Sequence, residues 1–185
     1  MAFLDPTVPI ATCDASDCTD CPVADSIHCH FRPTELLHFL LICMPSFFVG
    51  GAAVLAAGWL PLAVWIAVCF GFFGLLEIRV MCSHCPHYAE EGPTLKCWAN
   101  HGSPKLWKYR PGPMSVTENV LFFAGLVAVW GYPVPFMVIG GRWSLLGLYL
   151  LLSAGFFATL KLLLCTQCMN FACPLNAVPN AARAA

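Results

Sequence analysis

The stretch that decides the fold runs from Leu36 to Leu76, LLHFLLICMPSFFVGGAAVLAAGWLPLAVWIAVCFGFFGLL, without one charged side chain. A helix needs about 20 apolar residues to cross the hydrocarbon core of a bilayer, so this run holds two crossings. Gly58-Trp59-Leu60-Pro61 divides them, a turn signal beside an interfacial aromatic. A second apolar block, Val120 to Leu164, is divided the same way at Gly140-Gly141-Arg142-Trp143. Four helices are therefore expected, near 36–57, 60–81, 116–139 and 143–164. Ser115-Val116-Thr117-Glu118 fits a capping box at the start of the third. Pro45, Pro133 and Pro135 should kink their helices, with neighbouring helices supplying donors to the freed carbonyls.

Composition agrees. Of 185 residues 59% are hydrophobic and 10% charged, against roughly 45–50% and about 25% in soluble domains. That excludes a disordered chain. A net charge of -1 excludes a basic nucleic-acid binder. The expected fold class is an all-α integral membrane protein: two tandem transmembrane hairpins and a cysteine-rich cytoplasmic cap. It divides into a Cys-rich arm (1–34), hairpin 1 ending in CxxC (35–81 and the motif after it), a loop (82–115), hairpin 2 (116–164) and a Cys-rich tail (165–185).

Four crossings put both termini and the central loop on one side. That side carries eight of the nine Lys and Arg, all but Arg142. The positive-inside rule places it in the cytoplasm, at a cell (inner) membrane. No secretory signal is expected, because the chain ahead of Arg32 lacks Lys, Arg and an apolar core.

The halves read as copies. At one constant offset Leu37 meets Leu121, Trp59 meets Trp143, and Gly71-Phe72-Phe73 meets Gly155-Phe156-Phe157. After a single slip in that offset, Cys82-Ser83-His84-Cys85 meets Cys165-Thr166-Gln167-Cys168. Two copies with the same orientation imply a pseudo-two-fold axis along the membrane normal. Glu77 and Lys161 fall at equivalent positions. They either pair near that axis or snorkel separately to the interface.

Ten of the twelve cysteines lie in the cytoplasmic segments: Cys13, Cys18, Cys21 and Cys29; Cys82, Cys85 and Cys97; Cys165, Cys168 and Cys173. Cys43 and Cys69 are intramembrane and read as packed small hydrophobes. Ten thiols in a reducing compartment point to metal rather than disulfides. A CxxC pair turns two thiolates onto one centre, and two such pairs complete four sulfur ligands. Cysteine precedes proline at Cys21-Pro22, Cys85-Pro86 and Cys173-Pro174. A Cys-Pro step also closes the bacterial ferredoxin motif, although neither ferredoxin spacing is matched here. One or two iron–sulfur clusters are the leading expectation, with zinc the alternative. Either the two CxxC pairs share an axial site while Cys97, Cys173 and two arm cysteines form another, or each repeat's triplet recruits one arm cysteine. His28, His30, His84 and His87 are candidate substitute ligands, although single histidines in such segments read first as solvated loop residues.

Both CxxC motifs follow helix C-termini, whose partial negative charge disfavours a bare reactive thiolate. The plan superficially resembles that of quinone-coupled disulfide-forming enzymes, but those need cysteines facing an oxidising compartment. The loop PHYAEEGPTLKCWANHGSPKLWKYRPGPM, residues 86 to 114, should fold over the cysteines. Its Trp98, Trp107, Lys105, Lys108, Tyr109 and Arg110 suit the headgroup layer. Glu35 and His38 read as interfacial groups, and the lack of a second intramembrane histidine argues against haem b. No catalytic residue is assigned, and no hydrolase or nucleotide motif is present. The functional expectation is electron transfer at the membrane face, with a soluble donor, quinone or partner membrane subunit. A structural zinc scaffold is the alternative, and thiol-disulfide or soft-metal handling the third reading.

Overall fold

The computed structural model describes residues 26–179. Cys13, Cys18 and Cys21 lie outside that range. The described residues are helical apart from turns and two isolated bridges. Four helices are long and apolar enough to cross a membrane: Pro33–Leu55, Trp59–His84, Val116–Ile139 and Trp143–Leu164. This is a multi-pass membrane architecture.

The first span is one helix, α1 (Pro33–Leu55), which continues through Pro45. The second begins as α2 (Trp59–Cys69), widens into a π-helical stretch over Phe70–Leu76, and closes with α3 (Glu77–Val80). A short α4 (Pro86–Ala89) follows the first CxxC. The third span is α5 (Val116–Gly131) followed by α6 (Pro133–Ile139). The fourth is α7 (Trp143–Thr159) with a π-helical end over Leu160–Leu164. The Ser115–Glu118 capping box forms in full.

Proline explains both the break in the third span and what repairs it. Pro133 has no N–H, so the carbonyl of Val129 four residues back loses its helical donor. The Trp65 indole N–H reaches across from α2 and donates to that oxygen at 2.9 Å. Tyr149 of α7 donates its hydroxyl to the next carbonyl, Trp130, at 2.8 Å. In lipid no water substitutes for such donors, so these bonds tie spans two and four to the broken third.

Close approach relies on small residues, as expected where lipid offers no hydrophobic drive between helices. A Cβ on Gly50 would lie 3.0 Å from Tyr149 and 3.2 Å from Pro133. A Cβ on Gly125 would lie 2.1 Å from two carbons of the Phe72 ring. On the side away from the cysteines, Arg142 donates to the carbonyls of Ala53 and Ala56 at the C-terminus of α1. These are carbonyls the helix itself cannot satisfy. Outward-facing Phe48, Trp59, Leu60, Phe70, Val127, Ile139, Leu151 and Leu162 are all more than half exposed. So broad an apolar surface belongs in a bilayer.

Candidate metal centre

The segment before α1, the 82–115 loop and the tail after Leu164 meet at one end of the four helices. His28 pairs with the tail, its N–H donating to the Gln167 carbonyl at 2.8 Å. Phe31 stacks on His101 of the loop with ring centroids 3.8 Å apart. Arg110 fixes the far end of the loop, donating to the Arg79 carbonyl and the Ser83 hydroxyl and pairing with Glu118. His84 hydrogen-bonds the Gly112 carbonyl at 3.0 Å through Nδ1.

Beneath these segments lies a cavity of about 330 Å³. Six sequence-assigned cysteines line it: Cys82, Cys85 and Cys97 from one half, Cys165, Cys168 and Cys173 from the other. Its other end reaches between the spans, walled by aromatic rings that include Phe39, Phe47, Phe73, Trp130 and Phe156. Trp130 stacks on Phe156 at 5.5 Å and meets Phe47 edge-on at 5.2 Å. Between sulfur and aromatics sits Glu77, buried, with Oε2 lacking a hydrogen-bond partner. Cys43 also lines the cavity, on the intramembrane side.

Burial disfavours the thiolate at the cavity cysteines that lie outside the spans. Burial pushes Cys97 up to about 11 and Cys173 up to about 12, despite backbone N–H groups that oppose the shift. Burial raises Cys85 and Cys168 well above the ordinary thiol range, and neighbouring sulfurs add to it. Cys165 is raised by burial and partly relieved by Lys161. Among the described residues Cys43, Cys69, Cys82, Cys85, Cys97, Cys165, Cys168 and Cys173 form no disulfide.

A buried thiolate survives only beside a cation or with hydrogen-bond donors on its sulfur. Both a metal and N–H donors fit this donor set. The backbone N–H of Asn100 donates to Cys97 Sγ at 3.1 Å, and its side-chain amide to Cys82 Sγ at 3.4 Å. Among the described residues no three His, Cys, Asp or Glu side chains converge closely enough to hold a single ion. The sulfurs surround a space instead of meeting at a point.

The structure places several residues differently from what their sequence context suggests. Cys29 does not line the cavity and packs against the Ile27, Met169 and Val178 cluster. His84 and His87 are buried, not solvated, because the loop folds inward over them. His87 Nδ1 lies 2.6 Å from Glu90, and its ring lines the cavity. Trp98 is also buried, edge-on to Phe39 at 5.3 Å, so it does not face headgroups. Glu77 and Lys161 do not pair: Lys161 turns outward and donates to the Leu175 carbonyl, while Glu77 turns in. Glu35 faces His28 at 3.2 Å, and His38 is exposed. Asn100 was not singled out from the sequence; its place shortly after Cys97, in an Asn-His-Gly turn, is the signal that could have found it.

Searched against protein-family models, curated proteins and solved structures, the chain matches none of them.

Proposed function

We propose that this chain is a membrane-embedded iron–sulfur protein that transfers electrons at the cytoplasmic membrane face, between a soluble donor and quinone or a partner membrane subunit. The observation that carries this reading is the convergence of six cysteines, three from each half, on one cavity. A single zinc ion with Zn–S bonds of about 2.3 Å needs its sulfurs within about 4 Å of one another. Sulfurs spread around a cavity suit a polynuclear cluster better. When bound, such a cluster supplies reversible one-electron storage.

The chain's own residues do the rest. The cysteines bind, and Asn100 hydrogen-bonds sulfur, which tunes a potential. Leu95, Trp98 and the loop that carries them exclude water. The aromatic end of the cavity supports a quinone-linked role, since flat rings and one inward-facing carboxyl group suit a flat, carbonyl-bearing apolar ligand.

The tandem repeat belongs to the same proposal. Phe72 and Phe156, which match in the two halves, are both buried. Phe72 packs on Phe122 of the third span and Phe156 on Phe39 of the first. A pseudo-two-fold along the membrane normal makes that exchange. Both even-numbered spans also contain a π-helical stretch in their cysteine-side half, followed by α3 before Cys82 in the second span and directly by Cys165 in the fourth, a feature frequent at functional sites.

The test is iron, zinc and acid-labile sulfide per chain on anaerobically purified protein in detergent. Iron with matching sulfide, and a visible band that bleaches on reduction, is the expected result. Zinc without sulfide overturns electron transfer and leaves the structural scaffold.

A further inference from the structure

The cavity is one space with two chemically different ends, and only one of them carries the six cysteines. In the cysteine-side half of the molecule α1 packs on α7, while α3 and the π-helical stretch before it pack on α5. The cavity lies between these two helix pairs and draws its wall from all four spans. Met44 stands at the midpoint of α1, lines the cavity and is 36% exposed. Leu40, Leu41 and Phe48, one turn to either side of it, are exposed as well. The wall of the cavity and the lipid-facing surface therefore meet at Met44, deep in the bilayer. A ligand that enters there comes from lipid, not from water.

Inside, Glu77 is the one acid on the wall among the described residues. It is 8% exposed, and its Oε2 has no hydrogen-bond partner. A carboxyl group held in a span without a partner is costly and marks a functional site. The rest of this end is aromatic. Trp130 stacks on Phe156, and Phe73 meets Trp130 edge-on at 6.0 Å. Ring faces and edges of this kind pack a planar ligand. An acyl chain would fill the space but leave Glu77 unpartnered.

We propose that the membrane end of the cavity binds the ring of a quinone or quinol dissolved in the bilayer, with Glu77 hydrogen-bonding one ring oxygen and the apolar tail leaving past Met44 into lipid. This rests on the quinone-linked reading above for the class of ligand, and adds where the ring sits, what holds it and how it enters. A protonated carboxyl group donates to a quinone carbonyl, and a carboxylate accepts from a quinol hydroxyl, so one side chain serves both oxidation states. The volume of about 330 Å³ is at the low end of small-molecule pockets, about 300–1,000 Å³. It admits a ring and leaves a long tail outside.

The test is photolabelling of the full chain, as purified in detergent, by a decyl-tailed azidobenzoquinone, followed by peptide mass spectrometry. The expected result is saturable label on the peptides that carry Met44, Glu77 or Trp130. Unlabelled decylbenzoquinone should displace it, and an alkane of matching length should not. Glu77→Leu should raise the half-saturating concentration about ten-fold, because a ring oxygen loses its partner. Glu77→Gln keeps a donor and an acceptor and should stay within about three-fold of the wild type. Met44→Trp, which crowds the opening, should weaken the tailed probe and leave a tail-less azidobenzoquinone within about three-fold. Helical circular dichroism is the folding control. Should Glu77→Leu fail to fold, Met44→Trp and the two competitors still decide.

Label displaced equally well by the alkane overturns the site and leaves an apolar void filled by lipid. Saturable label confined to other peptides, or a Glu77→Leu variant that binds like the wild type, overturns it too. Each of these leaves the iron–sulfur reading standing, with a partner membrane subunit in place of quinone. The expected labelling on a chain that holds no iron keeps the site and overturns the electron-transfer reading instead.

Discussion

Trp65 offers the sharpest test of how the spans are held. Its indole N–H supplies the donor that Pro133 denies to the Val129 carbonyl, at 2.9 Å. Trp65→Phe removes the donor and keeps an aromatic ring against Phe47, where the stacked centroids are 5.7 Å apart. Stranding a buried acceptor costs about 1–3 kcal/mol in general. Intramembrane hydrogen bonds average about 0.6 kcal/mol and reach about 1.7. About 1 kcal/mol for this bond is therefore the expectation, plus a packing loss from the smaller ring. A double-mutant cycle removes the packing term. Tyr132 has φ −56° and ψ −43°, so the backbone stays helical through the proline. An alanine at 133 would thus aim a new N–H at the Val129 carbonyl. Trp65→Phe should then cost about 0.5–1 kcal/mol less in the Pro133→Ala background than in the wild type. The assay is reversible unfolding in mixed micelles titrated with sodium dodecyl sulfate. A coupling energy below about 0.2 kcal/mol refutes the claim that the indole replaces the missing proline donor.

Gly125→Ala should destabilise by about 1–3 kcal/mol, because the new Cβ meets the Phe72 ring; Phe72→Leu should recover part of the loss in the same assay. Gly147→Ala, with nothing within 4 Å of its Cβ, should be neutral or slightly stabilising. Ser115→Ala should cost about 1 kcal/mol by deleting the hydroxyl that accepts the Glu118 N–H, read as a lower unfolding midpoint. In metal-free protein Cys97 is pushed up to about 11, so its thiolate fraction at pH 8 is about one in a thousand against about a quarter for a free thiol. Since only the thiolate reacts, labelling of Cys97 by iodoacetamide should be over a hundred-fold slow at pH 8 and rise about ten-fold per pH unit up to about 11. A rate flat between pH 8 and 10, followed by peptide mass spectrometry, contradicts that burial.

The spans were legible because their signal is local. A long uncharged run has one physical outcome in a cell, and the breaks at Gly58 and Gly141 carry positive φ values of 135° and 64° that only glycine adopts freely. The capping box at Ser115 and the rescue of carbonyls freed by proline were legible for the same reason. The identity of the rescuer was not, since nothing in the string brings Trp65 beside Val129. The loop was misread where its composition was ambiguous. Trp98, His84 and His87 have the character of interfacial groups, and only tertiary contacts with Phe39, Gly112 and Glu90 draw them inside. The clustering of Cys82, Cys85, Cys97, Cys165, Cys168 and Cys173 follows from the spacing of two CxxC motifs after two helices. The exclusion of Cys29 does not, because it depends on Ile27 docking against Met169 and Val178.

Matched positions of the proposed repeat make different contacts at the end of the molecule away from the sulfurs, and the reason is chemical. Trp65 and Tyr149 are equivalent positions, separated by the same offset as Trp59 and Trp143. An intact two-fold would send Trp65 to the third span and Tyr149 to the first. Both instead donate to the third span, at Val129 and Trp130. That is where Pro133 leaves backbone oxygen without a donor in lipid, and Gly50 gives Tyr149 room to cross the first span to reach it. Symmetry there yields to the need to satisfy a carbonyl. At the sulfur end both halves place cysteines on the same cavity. A duplicated chain is free to drift wherever one copy's backbone demands it. It stays matched only where both copies serve a shared object. On the proposed repeat, cysteines from both halves on one cavity beside an unmatched helix core are therefore an argument that the halves hold something in common between them.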